Sequence, residues 1–128
     1  MKVRILIVDD NLTNLKLAGA VLESEGYEVE QALNAECAQE ILKHHTLPDL
    51  ILMDIALPGM DGLTFTRKLK ADSRTKHICI VALSAFAMKG DDQKALDAGC
   101  AGYVTKPIDT RRMPLQLAAF LESSQHRQ

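Results

Sequence analysis

The sequence has no tryptophan, few other aromatic residues and no excess of basic charge. A net charge of −2 at pH 7, without a dense cluster of lysine and arginine, argues against direct binding to nucleic acid. Aromatic residues make up only 4% of the chain, and neither G-x-G-x-x-G nor a P-loop is present, so a flavin- or nucleotide-binding module is disfavoured. The longest apolar runs have the length of a strand, so we expect no insertion into a membrane.

Cysteine is scarce, and no leader sequence is recognisable. Cys37, Cys79 and Cys100 are odd in number, far apart and without a C-x-x-C pair, so we interpret all three as buried and reduced. The N-terminus has only a few apolar residues and no small-residue cleavage site, which argues against a signal peptide. These observations together predict a cytoplasmic protein.

What the chain does contain is an alternation of short apolar runs and amphipathic segments. Asn11 and Asn34 are suited to the N-caps of the first two helices, and the other three helices are predicted over residues 63–69, 88–98 and 114–123. The predicted strands are residues 3–8, 27–31, 50–53, 78–83 and 101–104. We therefore predict an α/β fold: a doubly wound, five-stranded parallel sheet of order 2-1-3-4-5 flanked by five helices, which is flavodoxin-like.

Pro114 sets the predicted start of the last helix. Because proline lacks an N–H and disfavours helical geometry at the preceding residue, we expect it at the first helical position, after an irregular turn over 109–113. We expect a single domain over residues 1–123, followed by a frayed tail over 124–128.

Polar side chains follow four of the predicted strands. Asp9 and Asp10 end the first strand, Asp54 the third, Ser84 the fourth and Lys106 the fifth. Each has an ordinary explanation as a cap, a turn residue or a solvated side chain, but the carboxyl ends of parallel strands share one edge, so we expect all of them to converge. Neighbouring carboxylates repel unless a cation is present, and a hard divalent ion, Mg²⁺, fits this need.

Four motifs surround the predicted site: residues 5–11, 49–54 with 57–62, 82–85 and 102–107. In these motifs the sequence resembles the receiver domain of two-component response regulators, and the resemblance extends over essentially its whole length. The separations of Asp54, Ser84 and Lys106 also fit that family. The stretch 85–91 is similar to that of stand-alone receivers of the cell-division regulator type, and hybrid kinases carry similar stretches.

The resemblance implies a role for each residue at the predicted edge. Asp54 would be the phosphoryl acceptor, and Lys106 would pair with a phosphoryl oxygen. Asp10 would bind Mg²⁺ directly and Asp9 through a water. The Asp54 carboxylate and the backbone carbonyl of Ala56 would complete the protein ligands.

The resemblance also implies a switch and an output surface. The Ser84 hydroxyl would move towards the phosphoryl group, and the Tyr103 ring would rotate into the space that is vacated. Without the resemblance, Tyr103 is an ordinary aromatic of an edge strand. The Lys106–Pro107 bond is expected to be cis. The partner face would comprise helix four, strand five and helix five, with Met88, Lys89, Tyr103 and Met113 as candidate contacts.

The expected function is that of a phosphoacceptor in a two-component or phosphorelay system. A histidine kinase or histidine phosphotransfer protein would supply the phosphoryl group, and a downstream protein target would receive the signal from a monomer or a phosphorylation-linked dimer. The chain would not be an enzyme, apart from its own phosphorylation and slow dephosphorylation. Apolar residues at Ala56 and Phe86 predict a long-lived phospho-form.

Two alternatives stay open. The first is a docking module with the receiver fold that works without phosphorylation. The second is a haloacid-dehalogenase-type phosphatase, which also uses an Asp nucleophile, Mg²⁺ and a lysine. That enzyme needs a second Asp two residues after the nucleophile, where this chain has Ala56.

Overall fold

The computed structural model describes residues 2–44, 46–84 and 91–125, in which strands and helices alternate. The strands are β1 (Arg4–Val8), β2 (Glu28–Ala32), β3 (Leu50–Asp54), β4 (Cys79–Ser84) and β5 (Gly102–Thr105). The helices are α1 (Leu12–Ser24), α2 (Ala35–His44), α3 (Gly62–Ala71), α4 (Asp91–Ala98) and α5 (Arg112–Gln125). None of these helices is long and apolar enough to cross a membrane.

The strands form one parallel sheet of order β2-β1-β3-β4-β5, which confirms the predicted doubly wound topology. Val8 pairs with Met53, and Asp54 pairs with Leu83. The carboxyl ends of β1, β3 and β4 therefore lie side by side, and the residues that follow them meet at a single edge.

The centre of the sheet is β3, and all five of its residues are buried. Successive side chains of a strand point to opposite faces. Ile51 and Met53 pack in one apolar cluster with residues of α2 and α3, whereas Leu50 and Leu52 pack in a second cluster with residues of α1 and α5. Helices cover both faces, which explains why β3 is a continuous apolar run and not an alternating one.

Side-chain caps fix where the helices begin at this edge. The Asn11 side chain accepts a hydrogen bond from Asn14 N–H at 3.0 Å, and the Asn34 side chain accepts one from Cys37 N–H at 2.8 Å. Both caps were predicted. Asp61 caps α3 in the same manner, so this helix begins slightly before its predicted start.

The start of α5 differs from the prediction. The helix begins at Arg112, so Pro114 is its third residue and the expectation of a first position is wrong. Asp109 initiates the turn, because its carbonyl accepts the N–H of Met113 at 2.9 Å. The first N–H groups of a helix have no acceptor within it, so proline is tolerated throughout this turn. The helix also runs to Gln125, beyond its predicted end.

The cysteines are only partly as expected. All three are free thiols, and Cys79 and Cys100 are buried, but Cys37 is exposed, so its predicted burial is wrong. Ala38 and Leu42 form the buried stripe of α2. Cys37 lies outside that stripe, because inward-facing positions of a helix recur every three to four residues.

Candidate functional site

Three carboxylates meet at the carboxyl edge of the sheet. Asp9 and Asp10 follow β1, and Asp54 is the last residue of β3. One carboxylate oxygen from each lies within 4.8 Å of the other two. Asp9 and Asp54 are buried, whereas Asp10 is exposed. A set of charged oxygen ligands suits a hard divalent cation such as Mg²⁺, so the residues present fit the expected metal.

Asp54 is held at both of its carboxylate oxygens. Oδ1 accepts a hydrogen bond from Ala56 N–H at 2.9 Å, and Oδ2 accepts one from Lys106 Nζ at 2.8 Å. Gly62, at the start of α3, packs so closely that a Cβ there would lie 2.2 Å from the Asp54 carbonyl oxygen. Glycine therefore permits the close approach of helix to strand that fixes Asp54.

Lys106 brings a cation to the same edge. Its Nζ lies 2.8 Å from Asp54 Oδ2 and 3.6 Å from Asp9 Oδ2. Burial lowers the pKa of Lys106, but the hydrogen bond and charge of Asp54, together with Asp9, more than offset this and raise it. The Lys106–Pro107 bond is cis, as the resemblance implies. Three ionised carboxylates and one ammonium leave two negative charges, which one divalent cation would balance.

The pKa of Asp9 is raised above its ordinary value. Burial raises its pKa, and the charge of Asp54 adds to the rise. The N–H of Asn11, which donates to Asp9 Oδ1 at 2.9 Å, opposes the rise, as do the charge of Lys106 and a hydrogen bond from Asn14. Additional positive charge in the site would favour the ionised form of Asp9 and oppose this rise.

Ser84 lies at the same edge, as the last residue of β4, and is buried. Its carbonyl accepts the N–H of Lys106 at 2.7 Å, and the carbonyl of Leu83 accepts the N–H of Ile55 at 3.1 Å. These backbone bonds join the segments that follow β3 and β5 to the last two residues of β4. The structure thus brings together Asp9, Asp10, Asp54, Ser84 and Lys106.

The residues predicted for the partner face differ in exposure. Tyr103 is on β5 and is 37% exposed, whereas Met113 is 0% exposed, so its predicted role as a surface contact is wrong. Met113 packs in the core because it shares an inward stripe of α5 with Leu117. Leu115 lies outside that stripe and is exposed. Helical spacing signals this exposure, but sequence reasoning missed it. Met88 and Lys89 lie outside the described residues.

Asn14 is a second residue that sequence reasoning missed. Its side-chain Nδ2 donates to Asp9 Oδ2 at 3.2 Å. The available signal is an amide in the first turn of the helix that follows the Asp9–Asp10 pair. That signal is weak, because it requires knowing which way the turn aims the side chain.

Comparisons with known proteins agree with this geometry. A family model for the response regulator receiver domain matches residues 5–118. The polar-differentiation response regulator DivK of Brucella anthropi is 41% identical over 117 residues, which cover 91% of this chain and 94% of that protein.

Solved structures give the same result. A CheY-like response regulator receiver domain protein from Methanospirillum hungatei JF-1 has a TM-score of 0.89 at 28% identity, covering 100% of both chains. The receiver domain of a sensor histidine kinase from Pseudomonas aeruginosa PAO1, solved with a magnesium ion in its active-site cleft, has a TM-score of 0.84 at 32% identity, covering 95% of this chain and 99% of that one. The chain therefore belongs to the response regulator receiver domain family of two-component signalling.

Proposed function

We propose that this receiver accepts a phosphoryl group on Asp54 in the presence of Mg²⁺, and that the resulting acyl phosphate alters a protein-binding surface. The observation that carries the proposal is the environment of the buried Asp54 carboxylate. Asp54 accepts a hydrogen bond from Lys106 at 2.8 Å and shares an oxygen cluster with Asp9 and Asp10.

The chemistry suits a carboxylate nucleophile, which needs no general base. An Asp54 oxygen forms a bond to phosphorus while the bond from phosphorus to the donor histidine nitrogen breaks, and that electron pair leaves with the histidine. Phosphoryl transfer depends mainly on in-line positioning and on neutralising the phosphoryl oxygens. Lys106, already beside Asp54, would pair with one of these oxygens.

The metal would be held by this chain's own oxygen atoms. Asp10, which is exposed, and Asp54 would be direct ligands, with the backbone carbonyl of Ala56 as a third. Asp9 would act through a metal-bound water. A Mg²⁺ ion held by these residues would supply positive charge to the phosphoryl oxygens.

The proposed switch uses Ser84 and Tyr103. Phosphorylation replaces the single negative charge of the Asp54 carboxylate with roughly two and adds acceptor oxygens next to the end of β4. The Ser84 hydroxyl would donate to a phosphoryl oxygen and draw in the segment that follows it. Tyr103, one-third exposed on β5, would then turn inwards, so that the surface of α4, β5 and α5 changes its partner preference.

The remaining parts of the proposal concern the cellular context. The phosphoryl donor is a histidine kinase or a histidine phosphotransfer protein, the output is contact with a downstream protein, and the protein is cytoplasmic. It acts as a monomer or a phosphorylation-linked dimer and catalyses only its own phosphorylation and slow dephosphorylation. The side chain of Ala56 offers no polar group to a hydrolytic water, so we expect a long-lived phospho-form. Phe86, the other residue behind this expectation, lies outside the described residues.

Intact mass after incubation with acetyl phosphate tests the proposal. Wild-type protein should gain one phosphate in Mg²⁺ and none in EDTA, and Asp54→Asn, a nearly isosteric control, should gain none in either. An equal adduct on Asp54→Asn would refute Asp54 as the acceptor, and a Mg²⁺-independent adduct that is absent from Asp54→Asn would refute the role of the metal. No adduct from acetyl phosphate or from a histidine phosphodonor would favour a docking module that works without phosphorylation.

A further inference from the structure

The first turn of α1 brings the side chain of Asn14 against Asp9. Asn14 Nδ2 donates to Asp9 Oδ2 at 3.2 Å, and the same oxygen lies 3.6 Å from Lys106 Nζ. A carboxylate accepts and cannot donate, so the Asn14 amide must present its nitrogen to Asp9. Asn14 therefore binds the same Asp9 oxygen that lies near the Lys106 ammonium.

The N-cap of α1 fixes Asn14 in turn. The backbone N–H of Asn14 donates to Asn11 Oδ1 at 3.0 Å, and the N–H of Asn11 donates to Asp9 Oδ1 at 2.9 Å. In a capping box, the third helical residue accepts the N–H of the cap residue. Here Asp9 accepts that N–H, which leaves the Asn14 side chain for the second oxygen of Asp9. One helical turn thus holds both oxygens of a buried carboxylate.

We propose that Asn14 is a positioning residue of the Mg²⁺ site, which holds Asp9 Oδ2 ready to accept a hydrogen bond from a metal-bound water. The inference rests on the proposed function, because it concerns the same metal. A carboxylate oxygen has two lone pairs, so Oδ2 can accept from Asn14 and from a water together. Mg²⁺ demands near-octahedral geometry, and loss of an outer partner of this kind weakens metal binding about 10- to 100-fold.

The test compares Asn14→Leu, of similar size but without a donor, with Thr13→Leu, an exposed position in the same helical turn. Isothermal titration calorimetry should give a Mg²⁺ dissociation constant that is about tenfold higher for Asn14→Leu and unchanged for Thr13→Leu. With acetyl phosphate, Asn14→Leu should need more Mg²⁺ for the half-maximal rate but should reach the wild-type plateau. A merely structural role would not shift the Mg²⁺ requirement while sparing the plateau.

The outcomes separate this inference from the proposed function. If wild-type protein binds no Mg²⁺, the proposed function and the inference both fail. If wild-type protein binds Mg²⁺ and Asn14→Leu binds it equally well, the inference is overturned and the proposed function stands. Thermal melting checks that each variant folds, and Asn14→Ala provides the same measurement should the leucine variant fail to fold.

Discussion

Met53, in the interior of β3, and Asp54, at its end, are neighbours in sequence, yet their burial affects stability in opposite ways. Met53 and Asp54 are 0% and 1% exposed. Burying a methionine side chain stabilises a fold by about 1.5–3 kcal/mol, whereas burying a carboxylate is unfavourable unless it is paired and hydrogen-bonded. Val8 and Asp9 repeat this contrast at the end of β1.

The contrast indicates which part of the sheet maintains the fold and which part forms the proposed phosphorylation site. The strand interiors contribute hydrocarbon to two apolar clusters, one on each face. The strand ends contribute buried like charges, for which Lys106 compensates only partly. An edge selected for stability alone would not bring Asp9 and Asp54 so close together, and the four predictions below test this division.

The largest expected effect lies in the apolar interior. Phe65 of α3 is 0% exposed, so Phe65→Ala should lower the free energy of unfolding by about 3–5 kcal/mol, because it removes packed atoms and leaves a cavity. Urea unfolding measures the loss. Leu115→Ala, at a position that is 72% exposed, is the control and should change stability by less than about 0.5 kcal/mol. Equal losses would contradict the assignment of Phe65 to the core.

The second prediction concerns the boundary between interior and edge. A Cβ at position 62 would lie 2.2 Å from the Asp54 carbonyl oxygen and 2.8 Å from Ile55 Cα. Because backbone cannot yield easily, Gly62→Ala should cost about 1–3 kcal/mol and slow phosphorylation by acetyl phosphate.

Gly19→Ala is the control for this second prediction. The one close atom to its Cβ would be Nε2 of the flexible Gln31 side chain at 2.5 Å, while Val29 Cγ1 would be at ordinary contact distance, 3.8 Å. Gly19→Ala should therefore lower stability less than Gly62→Ala and leave the phosphorylation rate unchanged. If Gly62→Ala is phosphorylated at the wild-type rate, close packing at that position does not position Asp54.

The third prediction concerns the loss of the Lys106 ammonium group at the carboxyl edge of the sheet. Lys106→Met leaves Asp54 and Asp9 without their ammonium partner, so stability in EDTA should fall by about 1–3 kcal/mol. Added Mg²⁺ should recover part of this loss, since the ion supplies positive charge, but phosphorylation should stay slow. Lys16→Met, on the exposed side of α1, should change neither property. Full recovery of phosphorylation by Mg²⁺ would contradict a role for Lys106 beyond charge balance.

The smallest expected effect is the pH dependence of metal stabilisation. The pKa of Asp9 is raised above its ordinary value of 3.8, so in metal-free protein its contribution to stability is fully present below 3.8 and is lost as the pH rises through the raised value. Mg²⁺ at ten times its dissociation constant should add about 1.4 kcal/mol at pH 7. The gain should shrink as protons compete for Asp9 at lower pH.

Thermal melts with and without Mg²⁺, from pH 7 downwards, measure the stability gained from Mg²⁺. Asp10→Ala, which lacks a proposed metal ligand, is the control and should show no such gain. A Mg²⁺ gain that grows on acidification would contradict the account of Asp9.

The fold was predictable because the sheet is buried on both faces. The run over β3 is continuously apolar, turn residues follow it, and the same pattern recurs along the chain. Once parallel strands are inferred, Asp54 and Lys106 must reach one edge although they are far apart in sequence. Topology alone therefore brings most of the predicted site together.

The errors come from features that depend on where a helix begins and on its rotation about its axis. Met113 was expected at the surface, but the stripe it shares with Leu117 faces the sheet. Pro114 was expected at the start of α5, but Asp109 initiates the turn earlier. Asn14 was missed because the aim of its side chain depends on how the N-cap sets the first turn. Such facts follow from packing between elements and not from local spacing.

The most direct test of the central claim is the chemical location of the phosphoryl group. Borohydride reduces an aspartyl phosphate to homoserine, so protein treated with acetyl phosphate and Mg²⁺ is reduced, digested and sequenced by mass spectrometry. The account predicts homoserine at position 54 and at no other aspartate, with none formed in EDTA. Homoserine at Asp9, Asp10 or elsewhere, with Asp54 intact, would contradict it.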